Sequence, residues 1–234
     1  MSEATRVLLV GATGLVGRRV METCVGRGDV RLIALTRREA PMPTGARMEM
    51  LVADPAEWDR SLAAVAPDAV ICALGTTWRK AGGDEAAFRA VDEELVLRVA
   101  QAAKAVGVTH FLLVSSAGAE LASRAFYLRV KAQVETAVRK LGFYRLDILR
   151  PGLLRGPRAG DRRPGERLAI LLSPLADLFL HGARRGFRSI DARIVARASL
   201  QGAKEKVRGT FVHDNDAIRR LERRLESVDE GARQ

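Results

Sequence analysis

Short apolar runs alternate with helical periodicity through the first two-thirds of the chain, a pattern that predicts a parallel sheet covered by helices. Arg6–Val10 is a continuous apolar run and reads as a strand buried on both faces. Further strands are predicted at Val30–Leu35, Met48–Val52, Ala69–Leu74, His110–Val114 and Arg145–Leu149. Helices are predicted at Gly14–Arg27, ended by Gly28, and at Pro55–Ala66, where Asp54 precedes a first-turn proline. Two more are predicted at Glu85–Ala105, closed by Gly107, and at Phe126–Leu141, closed by Gly142. Six parallel strands in this order make an α/β doubly wound sheet of the Rossmann type.

Beyond Pro151 the pattern loosens. A Gly/Pro/Arg-rich loop, Pro151–Gly165, precedes a predicted helix over Glu166–Leu180. Another helix is predicted over Ala192–Ala203, then a short apolar piece at Thr210–Val212 and a charged helix over Ala217–Ser227, with fraying from Val228. This region is too short for a large substrate domain and suits a small helical lid.

The first strand runs into Gly11-Ala12-Thr13-Gly14-Leu15-Val16-Gly17, which opens the first helix. In that context the first glycine makes a tight turn, the second lets a pyrophosphate approach the backbone, and the third lets helix and strand pack closely. The helix N-terminus then offers free N–H groups to phosphate. About 20 residues on, an NAD-binding chain carries a carboxylate for the ribose; here the strand ends in Thr36-Arg37-Arg38. Two guanidinium groups suit a 2′-phosphate, so NADP(H) is expected over NAD(H). Asp54 either accepts from the adenine amino group or caps the following helix. Leu74-Gly75, in the small-residue stretch ending the fourth strand, would let a cofactor pass close to the chain.

Tyr127 and Lys131 stand four apart on one helix face. An ammonium beside a phenol favours the phenolate, which suits the phenol for acid–base work nearer neutral pH. Lys131 is also a candidate to bond the nicotinamide ribose. Ser115 and Ser116, where the fifth strand runs out, are candidates to polarise a substrate carbonyl, with Ser116 favoured. By spacing alone a Tyr/Lys pair is ordinary; its place after the fifth strand, downstream of a dinucleotide loop, gives it meaning.

Hydrophobic residues make up 47% of the 234, enough for a substantial core, and the net charge of +11 attracts anions. The arginines are spread along the chain, with no stacking series or recognition motif, so nucleic acid is not expected as a partner. Two lone cysteines, Cys24 and Cys72, in apolar segments read as buried packing residues of a reducing compartment, and three scattered histidines suggest no metal. With no signal-peptide pattern and no apolar stretch long enough to span a bilayer, the expected location is cytoplasmic.

GATGLVG, the Ser115-Ser116 strand end, the YxxxK pair and Arg150-Pro151-Gly152 together resemble the short-chain dehydrogenase/reductases. Leu74-Gly75-Thr76-Thr77, Lys80-Ala81-Gly82 and Arg163-Pro164-Gly165-Glu166 are similar to the atypical members like the Tat-interacting oxidoreductase-like proteins. The resemblance spans nearly the whole chain. It implies a single NADPH-binding Rossmann domain over residues 1–234, with 151–234 contributing a small substrate or lid region. It puts Thr13, Gly14, Leu15 and Val16 at the pyrophosphate, Arg37 and Arg38 at the 2′-phosphate, Leu74 and Gly75 along the cofactor, Tyr127 and Lys131 in catalysis, and Leu154 and Arg163 near the nicotinamide. Many dehydrogenases of this superfamily use an Asn after the fourth strand in a proton relay. Here the stretch reads Ala90-Val91-Asp92-Glu93, so Asp92 either substitutes or the relay is absent. The expected activity is hydride transfer to or from a small carbonyl or alcohol substrate. A non-catalytic NADP(H)-binding regulator with a protein partner, and an epimerase or dehydratase, are the alternatives; a homodimer is compatible with each.

Overall fold

The computed structural model describes residues 4–156 and 187–231. The strands are β1 (Thr5–Val10), β2 (Val30–Thr36), β3 (Glu49–Val52), β4 (Ala69–Cys72), β5 (His110–Val114), β6 (Arg145–Leu149), the two-residue β7 (Leu154–Arg155) and β8 (Ile190–Asp191), and β9 (Gly209–His213). The helices are α1 (Leu15–Cys24), α2 (Trp58–Val65), α3 (Glu85–Arg89), α4 (Leu95–Ala105), α5 (Phe126–Lys140), α6 (Ala192–Lys204) and α7 (Asn215–Gly231). Seven strands form one parallel sheet in the order β3-β2-β1-β4-β5-β6-β9, flanked by helices. This is the predicted doubly wound α/β fold.

Strand β1 shows why the layers form. Side chains alternate across a strand. Val7 and Leu9 join the layer containing Val16, Val20, Val195 and Leu200, while Leu8 and Val10 join the one containing Trp58, Val99 and Phe111. Both faces are covered, so the run is apolar without interruption.

Several expectations need correction. The sheet has seven strands rather than six: the piece around Thr210–Val212 is β9, which pairs with β6 from Arg145↔Gly209 to Leu149↔His213. The helix expected over Ala192–Ala203 runs one residue further, Ala192–Lys204, and packs in the core, with Ala192, Val195, Ala196 and Leu200 fully buried beside α1. Its alanines allow that close approach. Helix α7 continues to Gly231 instead of fraying at Val228. Helix α1 ends at Cys24, because Val25 turns extended and Gly26 takes φ +76°. The long helix expected over Glu85–Ala105 is broken by a π-helical stretch, Ala90–Glu94. The predicted helix Glu166–Leu180 and Arg163 lie outside the described residues.

Candidate active site

Strand order reverses between β1 and β4. From β1 the chain moves outward to β2 and β3; from β4 it moves the other way to β5, β6 and β9. Doubly wound sheets hold ligands outside the carboxyl ends of the strands at such a point. Here a cleft of about 380 Å³ is lined by Thr13–Val16, Ala73–Thr77, Val114, Ser115, Tyr127, Lys131 and Leu154. The topology thus brings the glycine turn, the β4 loop and the tyrosine–lysine helix into one wall.

Two glycines of the turn after β1 are sterically required. Gly11 has φ +93°, and a Cβ there would lie 2.5 Å from the Ala73 carbonyl oxygen. A Cβ on Gly17 would lie 2.2 Å from the Gly11 oxygen, so the third glycine is what allows α1 to pack onto the turn. Gly14 caps α1 with no side-chain hydrogen bond, and the first turn carries no acidic residue. An N-terminus left open in this way, beside a cleft that also receives Arg18, Arg79, Lys80 and Lys131, fits a dinucleotide diphosphate.

Lys131 is 6% exposed and Asp92 is 0% exposed. Their ion pair spans 2.8 Å from Nζ to Oδ1. The other carboxylate oxygen, Oδ2, accepts the Thr76 N–H at 2.7 Å, tying the β4 loop to the π-helical stretch. Burial alone would lower the Lys131 pKa; the Asp92 carboxylate and the Tyr127 phenol outweigh it, and the pKa is raised. Lys131 therefore carries its charge at neutral pH, with Nζ 5.9 Å from the centre of the Tyr127 ring. The π-helical stretch, a device common at functional sites, holds Asp92 in this pair.

Ser115 lines the cleft and donates its hydroxyl to Glu135 Oε1 at 2.5 Å. Arg150 grips the same carboxylate: Nε reaches Oε1 at 2.9 Å and Nη2 reaches Oε2 at 2.5 Å. That hydrogen bond holds the Arg150 guanidinium above its ordinary value. Ser116, the serine favoured from sequence, is half-buried, is not among the cleft-lining residues and bonds the Ala117 carbonyl at 3.3 Å.

Arg37 and Arg38 follow β2, are exposed and stand apart from the cleft lining. Asp54 is exposed and caps the turn before α2, its Oδ1 accepting the Ala56 N–H at 2.8 Å. Leu74 and Gly75 line the cleft, and Gly75 comes close to the ion pair: a Cβ there would lie 3.5 Å from Asp92 Oδ1. Trp78 is 44% exposed and packs edge-on against Phe126 at 5.5 Å. Sequence reasoning missed Arg18, Arg79 and Lys80 in the cleft, and Glu135. A signal existed for Glu135, which continues the four-residue spacing of Tyr127 and Lys131. Both cysteines are buried as expected, and burial pushes the Cys24 and Cys72 thiols up to about 12 and about 11. Among the described residues there is no acidic, His or Cys cluster able to hold a metal, and no helix long and apolar enough to cross a membrane.

The likeness to known proteins covers most of the chain. Protein fmp52, mitochondrial, of Aspergillus niger is 33% identical over 210 residues, covering 87% of this chain and 88% of that protein. Protein HTATIP2 of Rattus norvegicus is 39% identical over 167 residues, covering 70% and 68%. Among solved structures, MoeE5 in complex with UDP-glucose and NAD superposes with a TM-score of 0.68 at 18% identity, covering 95% of this chain and 81% of that one. The UDP-glucose 4-epimerase of Thermus thermophilus, in complex with NAD, gives a TM-score of 0.66 at 18% identity, covering 95% and 83%. At that identity the structural likeness carries the fold alone. A family model described as NAD(P)H-binding matches residues 11–168, and the chain belongs to that family.

Proposed function

We propose that the protein is an NADP(H)-dependent oxidoreductase that interconverts a small carbonyl compound and its alcohol. The observation carrying this reading is the shared cleft, where an uncapped helix N-terminus and the Tyr127–Lys131 pair line one cavity. The backbone N–H groups at Thr13–Val16 would hold the diphosphate, and Leu74, Gly75 and Leu154 would flank the cofactor. When bound, the cofactor supplies a hydride at its nicotinamide ring. Tyr127 delivers the proton to the carbonyl oxygen, or receives it in the reverse direction. Lys131, kept cationic by Asp92, bonds the ribose and keeps positive charge beside the phenol. Arg37 and Arg38 confer preference for the 2′-phosphate, and their exposure leaves them free to fold over it.

The test is NADPH consumption against a panel of aldehydes and ketones. Tyr127→Phe is expected to keep NADPH affinity and to lower turnover by about 10²–10⁴-fold, the worth of a positioned acid–base group. Unchanged turnover would remove the role.

A second reading is an epimerase or dehydratase, which would use the same tyrosine; the solved UDP-glucose 4-epimerase shows that this fold accommodates such an activity. Such an enzyme takes a hydride from its substrate and returns it within each cycle, so product would form in the presence of the oxidised cofactor, NAD, with no net reduction of it. We also propose a cytosolic location; cell fractionation tests it against the mitochondrial one stated in the fungal relatives' names.

A further inference from the structure

A serine hydroxyl has one proton to give and two lone pairs to accept with. At Ser115 the proton is committed to Glu135 Oε1 at 2.5 Å, and both residues are buried. Hydroxyl–carboxylate bonds of this length are charge-assisted and about twice as strong as neutral ones. The carboxylate cannot turn away, because Arg150 Nε reaches Oε1 and Oε2 at 2.9 and 3.2 Å and Nη2 reaches Oε2 at 2.5 Å. Arg139 approaches the same oxygen at 3.8 Å. Glu135 also sits on α5, on the face that carries Tyr127 and Lys131.

We infer that Glu135 is a positioning residue that makes Ser115 a hydrogen-bond acceptor in the cleft, so that the site favours a carbonyl substrate carrying a neighbouring hydroxyl. This rests on the reading of the cleft as a carbonyl–alcohol site. With its proton held, Ser115 offers a bound molecule only lone pairs, and what gains from it is a donor. The proton reaching the carbonyl oxygen then comes from Tyr127 and not from Ser115. Arg150 belongs to the same device, since without it the buried Glu135 carboxylate would face only the Ser115 hydroxyl and the more distant Arg139 guanidinium.

Two measurements on the full chain test this. The first is proton NMR of the hydroxyl: a low-field resonance protected from solvent exchange is expected, absent in Ser115→Ala and in Glu135→Leu. Should the leucine variant not fold, Glu135→Gln removes the carboxylate charge and must move the resonance upfield. A wild-type protein with no such proton, or a resonance indifferent to Glu135, overturns the inference whatever the enzyme's activity. The second compares an α-hydroxy ketone with the ketone lacking that hydroxyl. One hydrogen bond is worth about a fivefold preference in kcat/KM. Ser115→Ala should erase that preference, and a preference that survives in Ser115→Ala overturns the proposal. Loss of turnover on both substrates would make Ser115 a donor and overturn the proposal. NADPH titration stands apart: failure to bind sinks the reading of the cleft, while the hydroxyl proton still reports on Glu135.

Discussion

Replacing Asp92 by asparagine removes one charge from an ion pair whose side chains are 0% and 7% exposed. The amide still offers an oxygen to the Thr76 N–H, so the loop contact survives and the charge is what is lost. Breaking a buried pair by deleting one partner costs about 3–5 kcal/mol, because the remaining ion is left uncompensated. Taking the lower figure for the isosteric change, and about 2–4 °C per kcal/mol for a chain of this size, the melting temperature should fall by about 6–12 °C. The pH dependence gives a sharper signature. In the native protein the Lys131 pKa is raised, so its stabilising contribution is intact below the usual lysine value and is lost only as pH rises through the folded value. Without Asp92 the largest influence left is burial, which lowers the pKa. Folding then carries a penalty while Lys131 is charged, and the penalty shrinks as pH rises through the lowered value. The stability gap between wild type and variant should therefore narrow from pH 7 towards pH 10. Thermal unfolding followed by circular dichroism across that range measures it. Melting curves within about 1 °C of each other, running parallel with pH, would refute the reasoning that Asp92 keeps a buried lysine charged.

Alanine at a helical glycine ordinarily stabilises by about 0.8–1 kcal/mol, but Gly17→Ala would set a Cβ 2.2 Å from the Gly11 oxygen; a loss of about 1–3 kcal/mol and of NADPH affinity is expected in thermal unfolding and titration. Arg37→Ala with Arg38→Ala should weaken NADPH by about 10-fold or more and leave NADH nearly unchanged, since charge-assisted bonds of about 1.5–3 kcal/mol vanish for the phosphate-bearing cofactor alone; quenching of the partly exposed Trp78 reads both constants. Burial would raise the Asp29 pKa, but hydrogen bonds from Arg27 and Lys204 lower it to about 2. Asp29→Asn should therefore be less stable than wild type at neutral pH, with the difference closing as pH falls from about 4 to about 2 in acid unfolding curves.

The elements themselves were legible because they depend on short-range patterning. Leu8 and Val10 face one layer and Val7 and Leu9 the other, so a sheet strand covered on both sides reads as an unbroken apolar run. Gly107 and Gly142 mark helix ends because each adopts positive φ, a local conformation that its residue type announces. The glycine turn and the Tyr127–Lys131 spacing were visible for the same reason: each is defined within a few residues.

What the chain order hid are pairings between residues far apart in it. Glu135 meets Ser115 and Arg150 only once α5 lies against β5 and the end of β6. Ser115, not Ser116, lines the cleft, and just past the end of β5 its N–H donates to the Leu149 carbonyl, a partner 34 residues away in the chain. The piece around Thr210–Val212 is short and weakly patterned, and β6 supplies the register that makes it the seventh strand. Asp92 could be singled out in the sequence only as a substitute for a relay Asn, and its π-helical stretch is what holds it against Lys131. Local periodicity determines which face of an element is apolar, and that much is written in the sequence. Which buried charges meet is decided by packing, because a carboxylate and an ammonium bear desolvation only where the fold brings them within bonding distance of each other.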